Sequence, residues 1–116
     1  MLKQQGSTMR KVNQSVYTDG SGYWSEVAKP VQITGIALPY VNDERDFGEL
    51  KVYFDTKSWD VRKDGLIYTD RQFLRELQSL LTNMGLDGSD IDYSEQGMQG
   101  DDYVSLDVGP AFINSF

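Results

Sequence analysis

The longest periodic run of apolar residues in this chain lies between positions 70 and 84. Its apolar side chains recur at the three- and four-residue spacing of an amphipathic helix. These residues are Phe73, Leu74, Leu77, Leu80, Leu81 and Met84. The positions between them are polar, so the spacing predicts a helix over 70–84 with one buried face.

Residues that favour helix ends flank this run. Thr69 and Gln72 have the spacing of a capping box, in which each side chain accepts a backbone N–H from the other residue. Gly85 follows the last apolar position and favours the left-handed conformation that ends many helices, so that Leu86 folds back onto Leu81. Because a helix of this length is marginal alone in water, we expect its apolar stripe to pack against another element.

Three further runs alternate between apolar and polar residues, as half-buried strands do. The run 31–40 is the most apolar, and its alternation changes phase at Gly35, which predicts a β-bulge. The run 49–55 alternates cleanly and predicts an antiparallel hairpin with 31–40, closed by a long charged loop. A last alternating run covers 103–108 and ends at Pro110, so a strand after the helix is also predicted.

Two other stretches carry weaker signals. The segment 11–18 is expected to be an edge strand that ends in the turn sequence DGSG at 19–22, with 23–27 returning as the second arm of a hairpin. The segment 56–64 has apolar residues at alternating positions around Trp59. We expect it to be a short strand or an ordered loop.

Length and composition fit one domain. The chain has 116 residues, of which 39% are hydrophobic, and this is enough apolar material for a single core. Residues 1–11 carry no such pattern and are expected to form a mobile arm ahead of a domain over 12–116. The predicted fold is α+β, with four to six mostly antiparallel strands and one long helix over 70–84 packed on one face.

Acidic residues accumulate towards the C-terminus. The net charge is −7, from 18 acidic and 11 basic residues, and Arg75 is the last basic residue. Ten acids accompany all eleven bases up to that point, and eight acids follow it. This asymmetry predicts an acidic C-terminal half that attracts a protein partner with a basic surface. A solvated acidic face that only aids solubility is the alternative interpretation.

The acids predicted to contact the partner lie after the predicted helix. They are Asp87, Asp90, Asp92, Glu95, Asp101 and Asp102. Direct binding to nucleic acid is not expected, because it requires clustered Lys and Arg side chains that displace counterions from phosphates. The partner is therefore predicted to be a protein.

Several kinds of chemistry are excluded by composition. Cysteine and histidine are both absent, which removes disulfides, zinc–thiolate sites, imidazole ligands and the common nucleophile–histidine pairs. No phosphate loop or dinucleotide fingerprint occurs, and we predict no catalytic residue, metal ligand or cofactor. No apolar run reaches the length of a membrane span, and no signal peptide is visible, so a cytoplasmic protein that binds no membrane is expected.

One short motif resembles a known enzyme family. The residues VYTDGS at 16–21 resemble the start of the ribonuclease H fold, in which a strand ends in Thr-Asp-Gly-Ser and the aspartate binds a divalent metal. The resemblance implies that Asp19 would bind a metal together with Glu76 and either Asp90 or Asp92, in a carboxylate cage for two ions. It covers six residues.

The sequence therefore leaves three functional hypotheses. The first is a small non-catalytic interaction protein, for example a phage or mobile-element inhibitor that mimics DNA with its carboxylates. The second is a structural or assembly subunit, for instance of a phage particle, that forms homo-oligomers. The third is the ribonuclease-H-like, metal-dependent nuclease.

Overall fold

The computed structural model of the chain describes residues 9–21, 27–39, 43–91 and 98–115. Within these residues the chain forms five strands, three α-helices and one 3₁₀ turn. The strands are β1 (Met9–Tyr17), β2 (Pro30–Ala37), β3 (Gly48–Phe54), β4 (Met98–Gln99) and β5 (Tyr103–Val108). The helices are α1 (Val61–Asp64), α2 (Arg71–Asn83) and α3 (Pro110–Ile113), and the 3₁₀ turn covers Ile67–Thr69.

The five strands form one antiparallel sheet in the order β1-β2-β3-β5-β4. The predicted α+β class and antiparallel sheet are thus confirmed, and so is the hairpin of the most apolar run with 49–55. The register of β2 against β3 shifts between Ile33 and Gly35, where the change of phase predicted a bulge. β1 pairs with β2; the predicted return arm at 23–27 falls mostly on residues 22–26, outside the described part.

Alternate residues of the strands and the apolar stripe of α2 share one core. Leu50, Val52 and Phe54 of β3 are buried, as their alternation predicted. The even-numbered residues of β5 are buried with them, and the stripe of α2 belongs to the same cluster. Fully burying one such side chain contributes about 1.5–3 kcal/mol. The long helix that sequence periodicity predicted is present, and among the described helices only α2 exceeds four residues.

The start of α2 differs from the prediction. Asp70, not Thr69, is the N-cap, and its carboxylate accepts the N–H of Phe73 at 3.1 Å. Thr69 closes the 3₁₀ turn and donates its hydroxyl to the carbonyl of Leu66. The predicted capping box with Gln72 is therefore wrong by one residue, because the 3₁₀ turn draws Thr69 away from the helix end.

The end of α2 follows the prediction. Gly85 has a φ of +82°, a conformation in which glycine carries little strain. The N–H of Leu86 then donates to the carbonyl of Leu81 at 2.9 Å, and both side chains are buried. This return bond satisfies a carbonyl that the helix would otherwise leave open.

The segment around Trp59 is an ordered loop over 56–60, one of the two predicted alternatives, and it ends in the helix α1, which the sequence did not predict. Asp60 caps α1 by accepting the N–H of Arg62, and a cap of this kind outweighs two alternating apolar residues. The Trp59 side chain is completely buried, and its Nε1–H donates to the carbonyl of Gly65 at 2.9 Å. Trp59 thus adds a large aromatic side chain to the core from the loop that precedes α1.

Both ends of the described chain are more ordered than the sequence predicts. β1 begins at Met9, so residues 9–11 belong to the sheet and not to the predicted arm; residues 1–8 lie outside the described part. At the other end, α3 buries Phe112 and Ile113 completely. These two side chains seal the core at the end of the sheet where β5 finishes.

Lys29 and Asp64 form a partly buried ion pair, and its contribution to the stability of the fold depends on pH. The Nζ of Lys29 lies 2.7 Å from Oδ2 of Asp64, whose side chain is 5% exposed. Burial opposes ionisation of Asp64, but the N–H of Asp60 and the Lys29 ammonium hold its pKa below the ordinary 3.8. The stabilisation is therefore present above pH 3.8 and is lost as the pH falls through the lowered pKa.

Replacing Lys29 by methionine is expected to make the free energy of unfolding less dependent on pH in the acid range. Without the ammonium, the pKa of Asp64 moves back towards 3.8 or above, so less stability remains to be lost on acidification. Urea unfolding from about pH 6 to about pH 2 measures the difference. Lys57→Met, at an exposed lysine, is the control. Identical acid profiles for the two variants would show that the ion pair does not lower the pKa of Asp64.

Candidate protein-binding surface

The predicted partner-binding acids divide between two ends of the sheet. Asp87 and Asp90 lie beside α3, where β5 ends, since Asp87 N–H donates to Ser115 Oγ. Asp101 and Asp102 lie in the turn that precedes β5. The six residues of β5 separate these two pairs by about 20 Å. The four predicted acids within the described residues, Asp87, Asp90, Asp101 and Asp102, therefore do not form one contiguous surface.

The remaining two predicted acids, Asp92 and Glu95, lie outside the described residues. Asp87 is exposed, and the hydroxyl and N–H of Ser89 hold its pKa below the ordinary value. Asp87 therefore carries a full negative charge at neutral pH and is available to a partner.

Asp90 has a structural task in addition to its charge. Its Oδ2 accepts the N–H of Ala111 in the first turn of α3 at 2.9 Å. Asp90 can come this close to α3 because residue 109 is glycine, since a Cβ on Gly109 would lie 2.7 Å from the same oxygen. The other oxygen, Oδ1, is shielded from solvent and has no hydrogen-bond partner within 9–21, 27–39, 43–91 and 98–115. The fold thus uses Oδ2 of this carboxylate to hold the first turn of α3.

Three parts of the chain bring acidic residues to this end of the molecule: the β2–β3 loop with the start of β3, the segment after α2, and the end of β5. We call this set the acidic corner. Its members are Asp43, Glu44, Asp46, Glu49, Asp87, Asp90 and Asp107. The only basic residue in 43–49, 86–91 and 103–109 is Arg45, and Arg75 of α2 lines a shallow cavity together with Asp87. Acidic side chains therefore outnumber basic ones in this part of the molecule.

Arg45 fastens the β2–β3 loop to α3. Its guanidinium donates to the carbonyl of Ile113 at 3.2 Å and to Oδ1 of Asn114 at 3.4 Å. Its φ of +54° is the one positive value at a non-glycine residue in the part of the chain that the structure describes, and such backbone strain persists only where the surroundings enforce it. The loop is thereby held against the end of β5.

Sequence reasoning found Asp87 and Asp90 but missed the four acids in 43–49. Those four precede Arg75, in the part of the chain where charges balance, so linear counting cannot reveal them. They reach the corner because β3 pairs with β5, which sets Gly48 opposite Val108. The only sequence signal was the charged tip of the predicted hairpin.

A shallow cavity of about 370 Å³ opens in the acidic corner. Apolar groups and carboxylates share its lining, which consists of Phe47, Asp90, Ile91, Asp107, Val108 and Gly109. Ile91 and Val108 are buried, whereas Phe47 is 51% exposed.

Two acidic residues face each other in the sheet next to the cavity. Glu49 of β3 is directly opposite Asp107 of β5 in the sheet register, so the pairing of β3 with β5 brings a second carboxylate to the end of the sheet where Asp107 lines the cavity.

The residues that the ribonuclease H resemblance named are not assembled. Asp19 and Glu76 lie near the first turns of α2, where Oε1 of Glu76 accepts the N–H of Tyr17 at 2.8 Å. Asp90 is at the opposite end of the sheet, and β1 is an edge strand. Within the described ranges, no group of three Asp or Glu side chains is placed to hold a metal ion. Asp92 lies outside them.

Asp19 instead belongs to a hydrogen-bonded turn. Its own N–H and that of Gly20 donate to the buried carboxylate of Asp70 at 3.1–3.2 Å. The Asp19 carboxylate accepts the N–H of Ser21, and hydrogen bonding by Ser21 lowers the pKa of Asp19. The motif TDGS therefore serves to dock the end of β1 on the start of α2.

In the described part of the chain, no helix has the length and apolar character needed to cross a membrane. No protein-family model, no curated protein and no solved structure matches this chain.

Proposed function

We propose that this chain is a small, non-catalytic interaction protein whose acidic corner binds the basic surface of a protein partner. The convergence of seven acids and one base from three parts of the chain carries the proposal. Such a surface steers a basic partner and raises its association rate, an effect that falls steeply with ionic strength. The exposed Phe47 adds an apolar contact within the charged surface.

A specific form of this proposal is an inhibitor that mimics DNA. Carboxylates would then occupy a cleft whose Lys and Arg side chains normally bind phosphates, and the partner would be a nucleic-acid-binding protein. A phage or mobile element is a plausible origin, and the cytoplasm a plausible compartment, for such an inhibitor. Charge and size support this form; no motif does.

Removing charge from the acidic corner is expected to weaken partner capture strongly. The triple variant Asp43→Asn, Glu49→Gln and Asp87→Asn raises the net charge by three at exposed positions. Tagged protein is incubated with a host lysate at low and moderate salt, and retained proteins are identified by mass spectrometry. We expect the wild type to retain a basic protein that elutes as salt rises, and the variant to retain about tenfold less.

The control is a second triple variant of equal charge change at the other end of the sheet: Asp60→Asn, Asp101→Asn and Asp102→Asn. It should retain the partner almost as well as the wild type. Equal losses in both variants would indicate non-specific attraction to net charge, and a greater loss in the control would place the binding surface on the turn before β5.

The alternative is a self-associating structural subunit, and the exposed strand β1 favours it. β1 is a nine-residue edge strand, and unpaired edges are templates for adding a strand. Met9 and Tyr17 are 49% and 52% exposed at its two ends. Recovery of the bait alone, as a multimer whose mass rises with concentration, would favour this alternative over the acidic-corner proposal.

A further inference from the structure

We propose that the face of the sheet opposite α2 packs against the same face of a second copy of this chain, in a two-fold symmetric dimer. The inference goes beyond the proposed function, because the contact joins two copies of the chain and involves no other protein. The register of the strands, the exposed apolar side chains and the arrangement of charge each support it.

The register identifies the side chains of this face. The even-numbered side chains of β3 and β5 belong to the core together with the stripe of α2, so the odd-numbered side chains point to the other face. One row of residues, each directly opposite the next, crosses all five strands there: Met9, Ala37, Lys51, Ser105 and Met98. We call this surface the distal face and define it by Met9, Glu49, Lys51, Tyr53, Met98 and Tyr103.

Apolar side chains are exposed on the distal face. Met9 and Met98, at the two ends of the row, are 49% and 60% exposed. Tyr53 and Tyr103 lie directly opposite each other beside this row, half-buried, with ring centroids 5.8 Å apart. Where one face of an antiparallel sheet meets water, its side chains are usually polar. Packing the distal face on another protein surface removes these apolar groups from water, which favours association.

The charges of the distal face favour a second copy as the occupant. Lys51 and Glu49 lie two residues apart on β3 and therefore on the same face, and the Lys51 Nζ is 4.8 Å from the Tyr103 ring centroid. A two-fold axis that crosses β3 between Glu49 and Lys51 sets Lys51 of each copy against Glu49 of the other, so two ion pairs form at once. Lys11 and Asp107 add one further charge of each sign. A partner of a single charge sign would leave like charges facing each other.

Two distal faces can pack as the two sheets of a β-sandwich do. With the axis across the strands, β3 of one copy runs antiparallel over β3 of the other, and aligned sheets pack about 10 Å apart with interdigitating side chains. Because β3 is the middle strand of the sheet, Tyr53 lies within the contact and not at its rim. The contact uses the same surface on both copies, so it closes at two chains, whereas strand addition at the β1 edge continues.

Sedimentation velocity of the full-length protein, from micromolar to millimolar concentration, tests the dimer. We expect the mass to rise from that of one chain to that of two and to stop there. Lys51→Glu sets carboxylates against each other across the axis, and Glu49→Lys does the same with ammonium groups, so each should weaken the dimer by at least about tenfold. Met98→Ala should weaken it by about fivefold, because apolar contact is lost.

Mixing the two charge variants separates a direct contact from damage to the fold. In a mixture of Lys51→Glu chains with Glu49→Lys chains, opposite charges face each other at both pairs. A mixed dimer of about wild-type affinity should therefore form, although each variant alone stays a monomer at the same concentration. A substitution that only damages its own chain cannot be repaired by adding a second chain.

The matched control is Arg75→Glu, which makes the same change of charge as Lys51→Glu at an exposed residue of α2, on the other side of the sheet. It should dimerise as the wild type does, and circular dichroism of each variant establishes that the fold is retained. The inference is overturned if the wild type stays a monomer, if its mass rises beyond two chains, if Lys51→Glu dimerises as the wild type does, or if the mixture stays monomeric.

Failure of this inference is distinguishable from failure of the proposed function. Glu49 belongs to both surfaces, whereas Asp43 and Asp87 lie outside the strands. Asp43→Asn combined with Asp87→Asn should therefore reduce capture of a basic partner without changing the mass measured by sedimentation. A wild-type monomer that still captures a basic protein refutes the dimer alone, and a dimer that captures none refutes the proposed function alone.

Discussion

Trp59→Ala is expected to lower the free energy of unfolding by about 3–5 kcal/mol, the range for removing a large aromatic side chain from a core. The Trp59 side chain is completely buried, and Lys29 Nζ lies 5.4 Å from its ring centroid, so a cation–π contact is lost as well. The lost hydrogen bond matters less, because Nε2 of Gln99 also donates to the Gly65 carbonyl at 3.1 Å. The cost therefore comes mainly from the cavity.

Urea unfolding followed by circular dichroism measures this change. Small domains have a total stability of about 5–15 kcal/mol, so the variant should unfold at a much lower urea concentration. Trp59→Phe fills most of the space and should lose clearly less. Met98→Ala, at a side chain that is 60% exposed, should stay within about 0.5 kcal/mol of the wild type. A loss below about 1 kcal/mol for Trp59→Ala would contradict its place in the core.

The second large effect is expected at Asp70. This completely buried residue caps α2 and accepts the N–H groups of Phe73, Asp19 and Gly20. Asp70→Ala removes the N-cap of α2, which costs about 1–2 kcal/mol. It also leaves the N–H groups of Asp19 and Gly20 without an acceptor, which costs a further amount of about 1–3 kcal/mol. We expect a total loss of about 2–5 kcal/mol in urea unfolding at neutral pH. If Asp70→Ala lowers the free energy of unfolding by less than about 0.5 kcal/mol, water must accept the same N–H groups as well as the carboxylate does.

Asp70→Asn removes the charge and keeps one of the two acceptor oxygens to which Phe73, Asp19 and Gly20 donate, so the dependence of its stability on pH, and not its absolute stability, reports on the charge. Burial raises the pKa of Asp70, as does the neighbouring Asp19 carboxylate, against the opposing effect of the N–H groups. A raised pKa means that the stability contribution is complete below the ordinary 3.8 and is lost as the pH rises through the raised value. The wild type should therefore lose stability relative to Asp70→Asn as the pH rises above 3.8. A difference that does not change with pH would refute the raised pKa.

Much of the fold could be predicted because its signals are local. The period of the stripe in α2 and the alternation at Leu50, Val52 and Phe54 each report which side of one element faces the core. The cap at Asp70 could not be predicted, since Thr69 has a similar intrinsic preference for that position. The choice depends on the amides of Asp19 and Gly20, which lie about fifty residues away along the chain.

The candidate site was less predictable than the fold for the same reason. Asp87 and Asp90 were predicted, but only the pairing of β3 with β5 shows that Glu49 joins them. A charge count along the chain groups residues that are close in sequence. A partner protein instead contacts residues that are close on the folded surface. The hydrogen bond from the Ala111 N–H to Asp90 could not be predicted either, because it depends on how closely Asp90 packs against Gly109 in the folded chain.

The carboxylates of α2 have a consequence beyond the stability of the helix. Glu76 and Asp70 occupy the N–H groups of Tyr17 and Asp19, which continue the outer edge of β1. An incoming strand cannot pair with amides that are already bonded, so the helix limits growth of the sheet along this stretch. Removal of the Glu76 carboxylate would release the Tyr17 amide while the apolar stripe of α2 stays packed on the sheet. Resistance to aggregation in this protein is therefore coupled to the docking of one helix, and a substitution at Glu76 could reduce solubility with little change in the free energy of unfolding.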